Sequence, residues 1–506
     1  MRIGLKSGTW LLATAASVLA LGAQAAPRLD TVLKPVRDGG TEVVAIEVTA
    51  ELAGGQGDGL VLSAPVVYAG VRGVADRVQD LVVTDAKGVV PLTSVDDPAA
   101  PGGFPYFRHW TAQRAVTYPV KISYRSAVQP AGAPQGPPFG IRPSAGGVSG
   151  AGAGFLVLPE KFGEAELKLR WDLSGLAKGS TAVASFGDGD VTLTGSPEKL
   201  RQAWYMAGPM GRYPTTGAVD GFSGTWLGQA PFDPAAELEW SGKLYQQLDK
   251  DFGYLKPAPR YRVFMRFLDT PPVGGGTALP NSFMLSRAAA PRDPAAEGPR
   301  TTFAHEMIHQ WVGGVDSPGA VGISSWFSEG LTTHYTALAP MRAGFSTVAE
   351  YGEQIDAMAR GYWGSEARDW SAEKIAKAGF GSESIRHVPY NRGALYFADL
   401  DAKIRAKSGG KRKLDDLLAP MFVSREKGAA FDHEAWKAMV GGELGPDAVA
   451  TFEKVVLGGE MFVPDAGAFG PCFTREPAAY DVGGVQVQGY RWVRLASVPD
   501  AVCRAW

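Results

Sequence analysis

The hydrophobic pattern of this chain changes period once, near Pro214, and the change restricts what it can fold into. Before it, runs such as TEVVAIEVTAEL, YPVKISYRS, AELKLRWDL and DVTLTG alternate apolar and polar residues between Gly, Pro and Asp clusters. A period of two lines one face of a strand, so residues 26–214 are expected to form an antiparallel β-sandwich. Within it, 127–154 (AVQPAGAPQGPPFGIRPSAGGVSGAGAG) is rich in Pro and Gly and poor in apolar residues, and reads as a long surface loop. After Pro214 helical spacing dominates. A helix is expected over 233–252, a strand over 260–268 (RYRVFMRFL), a break at Gly274-Gly275-Gly276, then helices over 301–312, 325–338, 347–359, 391–406 and 414–422. Alternation returns in the last segment, 461–506, which includes VQVQGYRWVRLA. The fold class is multidomain α+β: the sandwich, a mostly helical domain over 215–460 and a short β-like C-terminal cap. The 506 residues exceed the roughly 100 to 200 typical of one domain and leave ample room for several cores.

Arg2 and Lys6 precede a short apolar run and the small-residue site Ala23-Gln24-Ala25, the layout of a signal peptide over 1–25 with cleavage near Ala25. No later segment approaches the roughly 20 apolar residues of a membrane span, so the mature chain is expected to be exported, periplasmic or extracellular, with no stable membrane span. The formal charge of −2 becomes more negative once Arg2 and Lys6 leave. Nothing basic remains to suit nucleic acid. Cys472 and Cys503 are the two cysteines, and an even count in an exported protein favours a disulfide over two buried thiols.

His305-Glu306-Met307-Ile308-His309 sets two imidazoles four residues apart, on one face of a helix, where both reach one metal ion. Glu306, between them in sequence, is placed to reach a metal-bound water rather than the metal, as a general base must be. Phe303, Ala304, Ile308 and Val312 give the helix an apolar stripe. Glu329 follows with nineteen residues between it and His309, in the apolar context SWFSEGLT. A buried carboxylate is costly unless paired, and ligation relieves that cost. Two nitrogens and one oxygen around one Zn²⁺ leave a fourth position open, the pattern of a catalytic site. His334 lies about 140° around the helix from Glu329 and is expected on an ordinary polar face. His109 and His433 receive no role, and Trp311 and Trp326 are expected in the core.

HEMIHQWVGG followed by WFSEGLTTHY resembles the gluzincin metallopeptidases, in particular the glycyl aminopeptidase family and its leucine and alanyl aminopeptidase relatives. A further block, VPYNRGAL, then DAKIR and LDDL, is similar to the glycyl aminopeptidase pattern, and the likeness spans about 268–422. The gap between His309 and Glu329 is closer to the leucine and alanyl type. The resemblance implies a thermolysin-like zinc peptidase domain, a peptide or protein substrate, and Tyr390 as the donor to the tetrahedral oxyanion. A neutral phenol suits that task because its hydrogen bond strengthens as charge develops. His387 would assist the same oxyanion if it faces the cleft.

The sequence departs from the family at the Gly-rich edge strand, where related aminopeptidases carry a glutamate for the substrate's free amine. Gly274-Gly275-Gly276-Thr277-Ala278-Leu279-Pro280-Asn281-Ser282 holds no acidic residue. Gly275 and Gly276 are expected to offer backbone to the substrate, and Asn281 its side-chain carbonyl to an amine, without the strength of a charged acceptor. The expected activity is zinc-dependent peptide hydrolysis, aminopeptidase-like. The alternatives are an exported endopeptidase without preference for a free N-terminus and a non-catalytic peptide-binding protein on a peptidase fold.

Overall fold

The structure is a computed structural model that describes residues 26–54, 59–132, 137–269, 275–317 and 322–506; the expected signal peptide and Gly274 lie outside the described residues. It is a multidomain protein, a β-rich N-terminal part followed by a mostly helical one.

In the N-terminal part, strands Arg28–Arg37 and Val43–Ala53 pair as a hairpin at the centre of a seven-stranded sheet. Their alternation puts Leu29, Leu33, Val48 and Leu52 on a buried face, against Leu62 and Ala64 of a second sheet and Phe155 and Leu156. One pairing differs from the antiparallel expectation: Arg28–Arg37 runs parallel to Ala165–Trp171. Those strands are joined through a long excursion rather than a tight turn, so no hairpin forces opposite directions.

From Pro137 onward the Pro- and Gly-rich stretch 127–154 departs from the expected surface loop. It holds strands Arg142–Ser144 and Gly147–Ala151 of a five-stranded sheet, and residues 147–158 are buried throughout. Its glycines are there for contact, not for flexibility. A Cβ on Gly152 would lie 2.0 Å from the Leu200 carbonyl oxygen, one on Gly154 2.3 Å from that of Phe139, and one on Gly150 2.8 Å from Ile141 Cα. Backbone meets backbone where larger side chains would hold the layers apart.

The helical part is built on a five-stranded sheet in which Phe222–Leu227, Tyr261–Leu268 and Ser282–Ala288 run parallel, with Gly276–Leu279 added antiparallel at the edge. Arg266, buried on the middle strand, donates to the carbonyls of Gly140 (2.9 Å) and Ser149 (3.2 Å) and to Ser286 Oγ (3.1 Å), tying this sheet to the glycine-rich stretch. Burial pushes its guanidinium down to about 9. Asp233 caps the helix Pro234–Phe252 by accepting from the Ala235 and Ala236 N–H groups, a sound start for the expected helix. Trp311 and Trp326 are buried in the core between this sheet and the helices.

The C-terminal alternation forms a hairpin, Phe473–Val482 with Val485–Arg494. It packs on the helix Val348–Trp363, with the Trp363 ring 6.1 Å from Tyr480 and 6.2 Å from Trp492. Cys472 and Cys503 are joined in a disulfide that fastens the last turn of chain beside this hairpin. Among the described residues no helix is long and apolar enough to cross a membrane.

Gly152→Ala is expected to lower stability by about 1–3 kcal/mol in denaturant unfolding, because the methyl group must displace a backbone carbonyl. Gly40→Ala, at a position with nothing within 4 Å of the added carbon, is the control. Equal stabilities for the two variants would show that the close backbone packing is absent.

Candidate metal centre

The helix Arg300–Val312 turns Phe303, Ala304, Met307, Ile308 and Trp311 into the core, and its remaining face turns towards a cavity of about 960 Å³. On that face His305 and His309 stand one turn apart, their rings 4.8 Å between centroids and nearly perpendicular. Glu329 meets them from the facing chain, with Oε2 3.2 Å from His305 Nε2 and 3.3 Å from His309 Nε2. One donor atom from each of the three lies within 4.8 Å of the others. Burial alone would raise the Glu329 carboxyl, but the two imidazoles beside it hold it well below the usual range. Two imidazole nitrogens and a carboxylate oxygen, converging on one point at the cavity wall, are a donor set that fits one zinc ion.

The helix expected over 325–338 is interrupted at Glu329. A short turn, Ser325–Ser328, precedes Glu329, and the helix Gly330–Ala343 follows it. The break lies where the chain passes the helix Val388–Ser408 at backbone contact: a Cβ on Gly330 would sit 2.6 Å from Gly393 Cα, and one on Gly393 2.5 Å from the Trp326 carbonyl oxygen. Beyond the break, Thr332 Oγ1 lies 3.3 Å from His309 Nδ1 and Thr336 Oγ1 3.4 Å from His305 Nδ1. Each hydroxyl has already given its hydrogen to the preceding turn, Thr332 to the Ser328 carbonyl at 2.6 Å and Thr336 to that of Thr332 at 2.7 Å. Sequence reasoning missed both threonines. The signal was their spacing of four, the same as that of the histidines they face.

Glu306 is buried beneath the edge strand Gly276–Leu279, so close that a Cβ on Gly276 would lie 2.6 Å from its Cγ. Burial raises its carboxyl above the ordinary range, while His305, His309 and the Ala278 N–H, which donates to it, act in the opposite direction. The carboxylate is thus held against the strand that borders the cavity. Gly275 and Gly276 line the cavity; Asn281 does not. Asn281 is exposed in the turn after the strand, at φ +56°, and its N–H donates to Gln310 Oε1 at 3.2 Å, so the structure keeps it away from the other site residues.

Tyr390 lies in the first turn of the helix Val388–Ser408 and stacks on His305, with ring centroids 5.8 Å apart and planes 8° from parallel. Its oxygen accepts from Arg386 Nη1 at 2.9 Å, and the Glu329 carboxylate acts on the phenol electrostatically. Burial, and then the Glu329 charge, hold the phenol well above its usual value, so it stays a neutral donor. His387 also lines the cavity, and its Nε2 accepts from Arg386 Nη2 at 3.4 Å. Burial lowers its basicity and keeps it neutral. Arg386, four residues before Tyr390, was not singled out by the sequence; only helical spacing from the tyrosine pointed to it.

The remaining histidines stand apart from this group. His334 is not on a polar face as expected: it is buried among packed helices, and burial takes it down to about 4. His433 accepts from Trp326 Nε1 at 3.2 Å, and His109 bridges Asp97 (2.9 Å) and Glu160 (2.6 Å) in the N-terminal part.

No protein-family model matches the sequence, and no curated protein matches it. Solved structures do match in fold. An aminopeptidase N family protein from Idiomarina loihiensis superposes with a TM-score of 0.68 at 14% identity, covering 89% of this chain and 79% of its own. An M1 zinc metallopeptidase from Deinococcus radiodurans does so with a TM-score of 0.50 at 18% identity, covering 87% and 96% respectively, and a mutant of that protein was solved with a Tyr-Ser-Ala substrate. This chain therefore has the fold of the zinc aminopeptidase group, as its motifs led one to expect.

Proposed function

We propose that the protein is a zinc-dependent peptide hydrolase, aminopeptidase-like in architecture. The observation that carries the reading is the convergence of His305, His309 and Glu329 on one point, with the Glu306 carboxylate beside them under the edge strand. The reading assigns the chemistry to a thermolysin-like unit over about 215–460, with a β-sandwich before it and the C-terminal hairpin as a cap after it. Export, with loss of residues 1–25, is part of the proposal and is supported by the Cys472–Cys503 disulfide.

The threonines make the ligands ready. Because Thr332 and Thr336 have spent their hydrogens on backbone carbonyls, each accepts from the Nδ1–H of its histidine, which leaves both Nε2 atoms bare on the side of Glu329. His305, His309 and Glu329 would hold one zinc ion, which would supply Lewis acidity to lower the pKa of water and polarise a carbonyl. Glu306 takes the proton from the attacking water and passes it to the leaving amine. Tyr390, its oxygen braced by Arg386, donates its hydrogen to the oxyanion. Among the described residues the strand Gly276–Leu279 pairs on one side, with Ser282–Ala288, and its other edge borders the cavity, where backbone groups not already bonded can pair with an extended peptide.

The second reading, an endopeptidase indifferent to a free N-terminus, is favoured by one observation: the strand Gly276–Leu279 carries no carboxylate. Kinetics on free and N-acetylated versions of one peptide separate the two, since an aminopeptidase cleaves only the free form at its first bond.

Glu306→Gln is expected to keep zinc, by metal analysis, and to lower kcat by roughly 10²–10⁴. A metal-loaded variant turning over at the parent rate would remove Glu306 as the base. Chelation is expected to abolish turnover and added Zn²⁺ to restore it. Replacing Thr332 and Thr336 together by Val is expected to weaken zinc binding by roughly 10–100-fold in competition with a chromogenic chelator; an unchanged affinity would mean the hydroxyls do not set the imidazoles.

A further inference from the structure

Arg386 brings a permanent positive charge into the cleft beside the reacting groups. It ends the short helix Glu383–Arg386, lines the cavity and is half-buried. Its two hydrogen-bond partners, Tyr390 Oη and His387 Nε2, are neutral, and its guanidinium faces the Phe380 and Tyr390 rings at 5.8 and 5.7 Å. Among the described residues no carboxylate lies within 4.0 Å of it, whereas Arg342, for example, pairs with Asp415. Bracing Tyr390 takes one of the five guanidinium N–H groups and His387 a second. None of the nitrogens is buried without a partner, so the unused donors are open to the cleft.

The rest of the cleft is complementary to this arrangement. Glu306 and Glu329 are committed to the proposed metal chemistry, and the edge strand has no carboxylate for an ammonium group. Glu383, at the start of the same short helix, also lines the cavity but is exposed, where water screens it. A half-buried guanidinium with donors to spare has the fork geometry that takes a carboxylate by two parallel hydrogen bonds. It stands one hydrogen bond from Tyr390, and Tyr390 stacks on the His305 ring, so an anion held there lies beside the group proposed to hold the metal.

We infer that Arg386 is a specificity residue that binds a carboxylate of the substrate, and that the cleft takes peptides carrying an anionic group beside the scissile bond. The inference rests on the hydrolytic reading for the ligand's being a peptide. The carboxylate comes from a free C-terminus just beyond the bond or from an aspartate or glutamate side chain next to it.

The test uses zinc-loaded Glu306→Gln protein, so that binding is read without turnover, and calorimetry with matched probes. One pair is Ala-Ala-Ala with a free or an amidated C-terminus; the other is an N-acetylated, amidated pentapeptide with aspartate or asparagine at its centre. The carboxylate member of at least one pair is expected to bind about tenfold tighter or more, and which pair does so identifies the source. Adding Arg386→Gln is expected to bring the ratio close to one, and Arg386→Lys to retain part of it. Equal affinity within both pairs overturns the inference with Arg386 intact, whether or not its variants fold. A preference that survives Arg386→Gln overturns it as well. Turnover of the same peptides by the unmodified protein is scored separately: carboxylate preference without turnover would sink the hydrolytic reading and leave the anchor, and turnover without preference would do the reverse.

Discussion

The crossing of two helices at Gly330 and Gly393 sets the dimensions of the site. With no Cβ on either residue, the chain carrying Glu329 and the helix carrying Tyr390 meet backbone to backbone. That contact places the Glu329 carboxylate and the Tyr390 phenol on the same side of the two histidines. An alanine at either position would need to occupy space held by main-chain atoms, which do not rotate away as a side chain can. The stacking of Tyr390 on His305 and the hydrogen bond from Arg386 to Tyr390 presuppose this spacing. So does the register in which Thr332 and Thr336 face His309 and His305.

Much of this was legible in the sequence where the signal is local. A spacing of four residues in a helix fixes which imidazoles share a face, so the meeting of His305 and His309 follows from sequence once the helix is granted. Apolar context marked Glu329 as a carboxylate needing a partner, and alternation marked the strands and the C-terminal hairpin. What was not legible depends on contacts between distant segments. Glycine reads the same whether it loosens a loop or admits a neighbouring backbone, so the stretch containing Gly150, Gly152 and Gly154 looked like surface and is core. The interruption at Glu329 is of the same kind, because it coincides with the close approach of Gly393, more than sixty residues away. His334 looked polar by helical angle, yet the helices around it leave that face no water.

The electrostatics of the cleft are arranged in layers. The imidazoles and Glu329 neutralise one another's environment at the metal position, Tyr390 and His387 remain neutral around it, and Arg386 lies outside them with donors open to the cavity. The neutral layer separates a permanent charge from the three convergent donor atoms, while leaving that charge within reach of whatever occupies the cavity.

The cavity is also bounded by Phe104 and Phe139, which belong to the N-terminal part. Arg266 reaches from the middle strand of the other sheet to the carbonyls of Gly140 and Ser149, the first of them next to Phe139, with no counter-ion among the described residues. Pulling the two parts away from each other would strand a buried guanidinium and two buried carbonyls at once. The height of the cleft is therefore inherited from folding rather than set by a hinge: this wall of the chamber is keyed to its floor, and a ligand must suit the gap as it was built.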